Sequence, residues 1–82
     1  MDVPIQKTAV EEEARRYRRM QFLIDFTLNT IAQSPLTHEE AVELSQSAKR
    51  AALRLFPGAE ETFDLIYLPR FRRVIAEKFE LD

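Results

Sequence analysis

At the centre of the chain stands Ser34-Pro35-Leu36-Thr37-His38-Glu39-Glu40-Ala41, a proline break followed at once by a helix start. Thr37 and Glu40 have the spacing of a capping box, in which the threonine oxygen and the glutamate carboxylate each satisfy an otherwise unpaired backbone N–H. Leu36 and Ala41 occupy the two positions of a hydrophobic staple. This stretch therefore predicts a turn between two helices, the second of which runs from about residue 38 to 56.

The segment before this turn has apolar residues at helical spacing. Thr8 and Glu11 form another capping-box spacing, so we expect a first helix from about residue 9 to 33, preceded by a flexible end at residues 1–7. Its inner face is predicted at Val10, Ala14, Tyr17, Ile24, Leu28 and Ile31, with Gln21 in the remaining place of the stripe. At about 1.5 Å per residue, this helix is longer than the second, and its charged amino-terminal turns should project beyond the bundle.

The segment after the turn at Pro57 and Gly58 is rich in aromatic and aliphatic residues. Pro69 lies in its middle, where a proline removes one backbone hydrogen bond and crowds the preceding turn. We therefore predict either one kinked helix or two short helices that meet at Leu68.

Composition agrees with a helical fold. The chain has 82 residues, 45% of them hydrophobic and 32% charged, and a single glycine, which leaves few positions for the tight turns of β-hairpins. We predict an all-α fold: one domain over residues 1–82, a three-helix, largely antiparallel bundle with the third helix kinked or split at Pro69. The small core and the wide apolar surface of residues 20–31 favour a homodimer, with the first and third helices supplying the interface.

Several classes of function lack their characteristic residues. The chain contains no cysteine, no glycine-rich phosphate loop and no Ser-His-acid constellation, so we expect no enzyme and no cofactor. His38 is the only histidine, and Val42 stands where a second metal ligand would lie, so no metal site is predicted. The absence of cysteine suits the cytoplasm, and the apolar runs are too short to predict a membrane span. One alternative stays open: a serine or lysine acting in a site shared with another subunit.

Two arginine-rich stretches are the remaining candidates for a site. Four arginines stand in Arg15-Arg16-Tyr17-Arg18-Arg19 and three in Arg70-Phe71-Arg72-Arg73. Glu11 and Glu12, four residues before Arg15 and Arg16, predict local ion pairs, and the two aromatic rings are assigned to the core. The candidate partner-binding residues are therefore Arg18, Arg19, Arg70, Arg72 and Arg73.

Two kinds of partner suit these five arginines. The acidic start of the second helix, at Glu39, Glu40 and Glu43, is a possible mate for the second cluster within the chain; otherwise an external acidic ligand is expected. We predict a small noncatalytic intracellular interaction or regulatory module whose partner is a protein of unknown identity. The alternative is phosphate or nucleic-acid binding by the same arginines, although a net charge of -2 disfavours nucleic acid.

Overall fold

Three helices follow one another along the chain in the computed structural model, which describes the backbone of residues 4–80 and the side chains of residues 8–80. Helix α1 covers Pro4–Gln33 and α2 covers His38–Leu55. Helix α3, residues 60–79, is continuous but built from three pieces: Glu60–Thr62, a π-helical turn at Phe63–Tyr67, and Leu68–Phe79. The predicted all-α, three-helix bundle with a kinked third helix is confirmed, with no strand among the described residues.

The start of α1 differs from the prediction. The helix begins at Pro4, so Thr8 lies inside it and is not a cap. Proline suits the first helical position, since its fixed φ fits a helix and the N–H that it lacks would have had no partner there. Of the end predicted to be flexible, residues 4–7 belong to α1 and residues 1–3 lie outside the described residues.

The amino-terminal half of α1 extends past the rest of the bundle. Every residue from 8 to 19 is exposed, and Met20, which follows them, is buried. We call residues 8–19 the overhang. Its existence confirms the predicted projection, but it also means that Val10 and Tyr17, assigned to the core from their spacing, are 63% and 51% exposed. The predicted residues do share one face of α1, but only the second half of this face is covered by α2 and α3.

The turn into α2 is built as predicted. The N–H of Glu40 donates to Thr37 Oγ1 at 3.0 Å, and the N–H of Thr37 donates to Glu40 Oε1 at 2.9 Å, which completes the capping box. The carbonyl of Ser34 accepts hydrogen bonds from the N–H of Leu36 and from Lys78 Nζ. The last helical turn of the chain is thus fastened to the turn between α1 and α2.

The π-helical turn of α3 immediately precedes Pro69. Here the N–H of Leu68 donates to the carbonyl of Phe63, five residues back. Pro69 has no N–H for the carbonyl of Leu65 and would crowd it in a regular helix, and the wider turn relieves both problems. It also lets the buried residues Phe63, Tyr67 and Phe71, spaced every four residues, remain on one side of α3.

The core lies where the three helices meet. Alanines line the buried side of α2 and allow the other two helices to approach closely. The rings of Phe63 and Phe71 stack with centroids 6.2 Å apart. The buried hydrophobic residues are Met20, Ile24, Ile31, Ala41, Ala48, Ala52, Phe63, Tyr67, Phe71 and Ile75.

Candidate functional site

In each arginine-rich stretch, one guanidinium group lies over an aromatic ring. For the first stretch the ring belongs to a different part of the fold, and for the second it belongs to the same helix. The Arg16 guanidinium carbon lies 5.5 Å from the ring centroid of Phe56, at the end of α2. The corresponding carbon of Arg70 lies 5.5 Å from the ring centroid of Tyr67, one turn earlier in α3. Both distances are within the range of cation–π attraction.

The two rings belong to one groove, which opens where α1 leaves the bundle. This groove encloses about 290 Å³ and is mostly apolar, and we call it the aromatic groove. Ile66, which is 50% exposed, stands beside Tyr17 as one of its most accessible residues. The lining residues are Tyr17, Met20, Ala52, Leu53, Phe56, Ala59, Thr62, Phe63, Ile66 and Tyr67.

A hydrogen bond between helices fixes one wall of the aromatic groove. Gln21 Nε2 donates to the hydroxyl oxygen of Tyr67 at 2.7 Å. Gln21 occupies the one polar position of the apolar stripe of α1, and its side chain is half-buried. Because the hydroxyl of Tyr67 is held by α1, the ring is kept in the position that Arg70 covers.

The predicted arginine patch is divided among different surroundings. Arg18, Arg19, Arg70, Arg72 and Arg73 are all exposed. Arg19 lies with Arg15, Arg16 and Glu12 around a shallow depression on the overhang. Arg72 instead lines a second, more polar groove between α2 and α3, together with His38, Val42, Ser45, Gln46, Leu68, Phe71, Ile75 and Ala76. The five arginines are therefore distributed over more than one groove of the molecule.

Two of the three acidic residues proposed as partners for these arginines, Glu40 and Glu43, make contacts elsewhere. Glu40 closes the capping box, and Glu43 Oε2 lies 3.4 Å from Arg50 Nη2. Among the side chains of residues 8–80, no carboxylate forms a salt bridge with an arginine of either cluster, and the ion pairs expected from Glu11 and Glu12 are not formed. Within these residues, the contacts shown for the two clusters are those of Arg16 and Arg70 with the rings of Phe56 and Tyr67.

The strongest ion pairing in the described structure joins α2 to α3. Lys49 Nζ lies 2.9 Å from Asp64 Oδ1 and 3.2 Å from Glu60 Oε2. Asp64 Oδ1 is buried and accepts no hydrogen bond within residues 8–80. The ammonium group of Lys49 therefore balances its negative charge as an ion pair. This contact, with a smaller contribution from Glu60, raises the pKa of Lys49 above its ordinary value.

His38 makes a packing contact between α2 and α3. Its ring is exposed and meets the ring of Phe79 edge-on, with centroids 5.4 Å apart. Within the described side chains, no group of three or more His, Cys, Asp or Glu residues is placed to hold a metal ion. His38 thus helps to pack the end of α3 against the start of α2.

The sequence does not reveal the aromatic groove. Phe56, Ile66 and Tyr67 stand in apolar stretches of the sequence, and no local signal shows that they border a groove, because the groove forms only when three helices meet. The rings of Phe22 and Phe26 stack with centroids 5.9 Å apart on the exposed side of α1. Both rings belong to the wide apolar surface of residues 20–31 that the sequence indicates, and both remain exposed in the structure.

The chain matches no protein-family model, no curated protein and no solved structure. Over residues 4–80, no helix combines the length and the apolarity needed to cross a membrane.

Proposed function

We propose that the protein is a noncatalytic helical interaction module whose aromatic groove binds an acidic amphipathic helix of a partner protein. The observation that carries this proposal is that the guanidinium groups of Arg16 and Arg70 lie over the rings of Phe56 and Tyr67, two residues that line the apolar groove. An amphipathic helix would place an apolar anchor in the groove and its carboxylates against the arginines.

The size and chemistry of the groove support a side-chain anchor as its occupant. Its volume of about 290 Å³ is at the lower end for pockets that enclose small molecules, roughly 300–1,000 Å³. Its polar lining groups are the hydroxyls of Tyr17, Thr62 and Tyr67, without a carboxylate, imidazole or amine among the lining residues. Such a lining suits the burial of an apolar side chain better than it suits proton transfer.

The position of the arginines favours recognition of carboxylates. A guanidinium group that rests on an aromatic ring keeps its N–H donors at the edge of its plane, where they can bind a carboxylate in a bidentate manner. Because Phe56 and Tyr67 already support the two side chains, less side-chain freedom is lost on binding. Arginine and tyrosine are also enriched among the residues that dominate protein interfaces.

The experiment that tests this function is affinity capture from the native cell with a matched pair of variants. Ile66→Asp places a charge in the groove, whereas Leu65→Asp alters the neighbouring residue, which is 71% exposed and outside the groove. Both wild-type residues are exposed, so both variants should fold. We expect the wild type and Leu65→Asp to capture the same partner protein, and we expect Ile66→Asp not to capture it.

A second step tests the chemistry of the partner. The captured protein is divided into peptides, and each is titrated against the wild type and against the double variant Arg16→Glu, Arg70→Glu. We expect an acidic amphipathic peptide to bind the wild type and to be rejected by the double variant through like-charge repulsion. A partner that binds Ile66→Asp as well as it binds the wild type would exclude the aromatic groove as the docking site.

A further inference from the structure

We infer that the overhang is the interface of a homodimer, in which residues 8–19 of two copies pack antiparallel to each other. The overhang continues the face that α1 buries in the bundle, but α2 and α3 reach only its end, where Tyr17 lines the aromatic groove. Val10, Ala14 and Tyr17 therefore form an exposed apolar stripe at a four-three spacing. This spacing is that of a coiled-coil seam, and Ala14 at its centre allows a second helix to approach closely.

A helix in this position needs a partner for its own stability. The overhang has all of its 12 described side chains exposed. Isolated helices shorter than about 12–15 residues are marginal in water, because most helical stability in proteins comes from packing of an apolar face. A second helix packed on Val10, Ala14 and Tyr17 would supply that packing.

The order of charges in the overhang identifies a second copy of the chain as the partner. Three glutamates, Glu11-Glu12-Glu13, precede the arginines of Arg15-Arg16-Tyr17-Arg18-Arg19. A parallel, in-register pair would set acid against acid and base against base. An antiparallel pair sets the acidic end of each copy against the basic end of the other, so the segment is complementary to itself, as a twofold-symmetric interface requires.

One register satisfies both the apolar and the charged residues. When Val10 of one copy lies opposite Tyr17 of the second copy, the Ala14 residues of both copies lie beside the twofold axis and the apolar stripes meet along the seam. Glu11 and Arg18, seven residues apart, both flank the seam on the same side of the helix. Glu11 of each copy then faces Arg18 of the other, which gives two symmetric ion pairs.

The first test is the mass of the protein across a dilution series, measured by sedimentation equilibrium from low micromolar to near-millimolar concentration. We expect a reversible dimer that Val10→Asp weakens by roughly tenfold or more, since a buried charge opposes the seam. The control is Phe22→Asp, which alters an exposed residue on the opposite side of α1. A monomer at every concentration, or a dimer that Phe22→Asp dissociates and Val10→Asp does not, would overturn the inference.

A charge swap tests the register. Glu11→Arg and Arg18→Glu should each weaken the dimer by about tenfold, because two attractive contacts become repulsive, and the double variant should restore it. The matched swap Glu12→Arg with Arg19→Glu changes charges on the outer side of the overhang and should leave the dimer unchanged. Failure of the Glu11–Arg18 double variant to recover the affinity lost by both single variants would refute this arrangement.

A distance measurement tests the orientation of the two helices. The chain contains no cysteine, so Thr8→Cys provides a unique site for a nitroxide spin label. In the proposed register the two labels lie about 17 Å apart along the helix axis, since residue 8 faces residue 19 of the second copy and each residue rises about 1.5 Å. Two labels in close contact would show a parallel pair and overturn the proposal. Tyr17 belongs to both the seam and the aromatic groove, but Val10 is outside the groove and Ile66 is outside the seam, so Val10→Asp and Ile66→Asp test the two sites separately.

Discussion

The side-chain amide of Gln21 donates a 2.7 Å hydrogen bond to the hydroxyl oxygen of Tyr67, which ties α1 to the π-helical turn of α3. Tyr67 is buried and Gln21 is half-buried, so both polar groups depend on each other. This single contact holds the wall of the aromatic groove and joins the first and third helices at the point where the overhang begins.

Tyr67→Phe should lower the free energy of unfolding by about 1–2 kcal/mol, because it leaves the Gln21 amide without its partner in a half-buried place. In the double variant with Gln21→Leu, part of this loss should be recovered, since both polar groups are then removed. Urea unfolding followed by circular dichroism measures the cycle. The control is Tyr17→Phe, whose exposed hydroxyl makes no hydrogen bond within residues 8–80, and equal losses at both tyrosines would contradict the role of this contact.

Thr37→Ala should destabilise the protein by about 1 kcal/mol, because it removes the side-chain acceptor of the capping box at the start of α2. Thr8→Ala provides the comparison. Thr8 has the same capping-box spacing in the sequence but lies inside α1, where alanine is the better helix former, so this variant should be neutral or slightly more stable. Thermal unfolding of the two variants measures the difference in stability. If Thr8→Ala were as destabilising as Thr37→Ala, Thr8 would cap a helix, which contradicts the structure.

Lys49→Met should lower stability at neutral pH, because it leaves the buried Asp64 carboxylate oxygen without its ammonium partner. The pKa of Lys49 is raised in the folded state, so the folded protein holds this proton more tightly than the unfolded chain does. The contribution is therefore complete below the unfolded lysine pKa of about 10.4 and is lost as pH rises through the folded pKa.

Urea midpoints of the wild type and Lys49→Met, measured from neutral to alkaline pH, test this dependence. The difference in urea midpoint between the wild type and Lys49→Met should become smaller at high pH. Arg50→Met is the control, since the pair of Arg50 with Glu43 is longer and more exposed and should matter less. A gap that widens with pH would contradict the assigned sign.

Titration with labelled single- and double-stranded DNA should give no saturable binding, even at low salt. The net charge is -2, and Arg72 lines a different groove from the one that Arg70 borders, so the arginines do not present one continuous basic face. Fluorescence anisotropy at low and moderate salt is the measurement. A saturable complex that weakens with salt, and that is lost when Arg18, Arg19, Arg70, Arg72 and Arg73 are replaced by glutamine, would support the phosphate-binding alternative.

The fold was predictable where the signals are local. The capping box at Thr37 and the proline at position 69 each act within a few residues of backbone, and both appear in the structure as their chemistry predicts. The start of α1 was misplaced because Thr8 and Glu11 have a valid spacing, but Pro4 provides an earlier start. Spacing alone cannot tell which of two compatible starts the chain uses.

The candidate site was less predictable, because it depends on how far each helix extends. Val10 and Tyr17 have the periodicity of core residues, and only the shorter lengths of α2 and α3 leave them exposed. The stacking of Arg16 on Phe56 joins residues 40 positions apart in the sequence, and no local pattern brings them together. The arginine stretches stand out in the sequence, but the rings that Arg16 and Arg70 cover become known only from the packing of the helices.

The overhang gives the single chain an elongated outline of 58 × 23 × 16 Å. Its radius of gyration is 15.6 Å, whereas a compact domain of this length would have about 12 Å. An elongated particle diffuses as slowly as a heavier spherical one, so a monomer of this protein would leave a gel-filtration column at the volume of a larger globular standard. Elution volume alone would therefore not distinguish an elongated monomer from a compact dimer, and only methods that measure mass directly can count the chains.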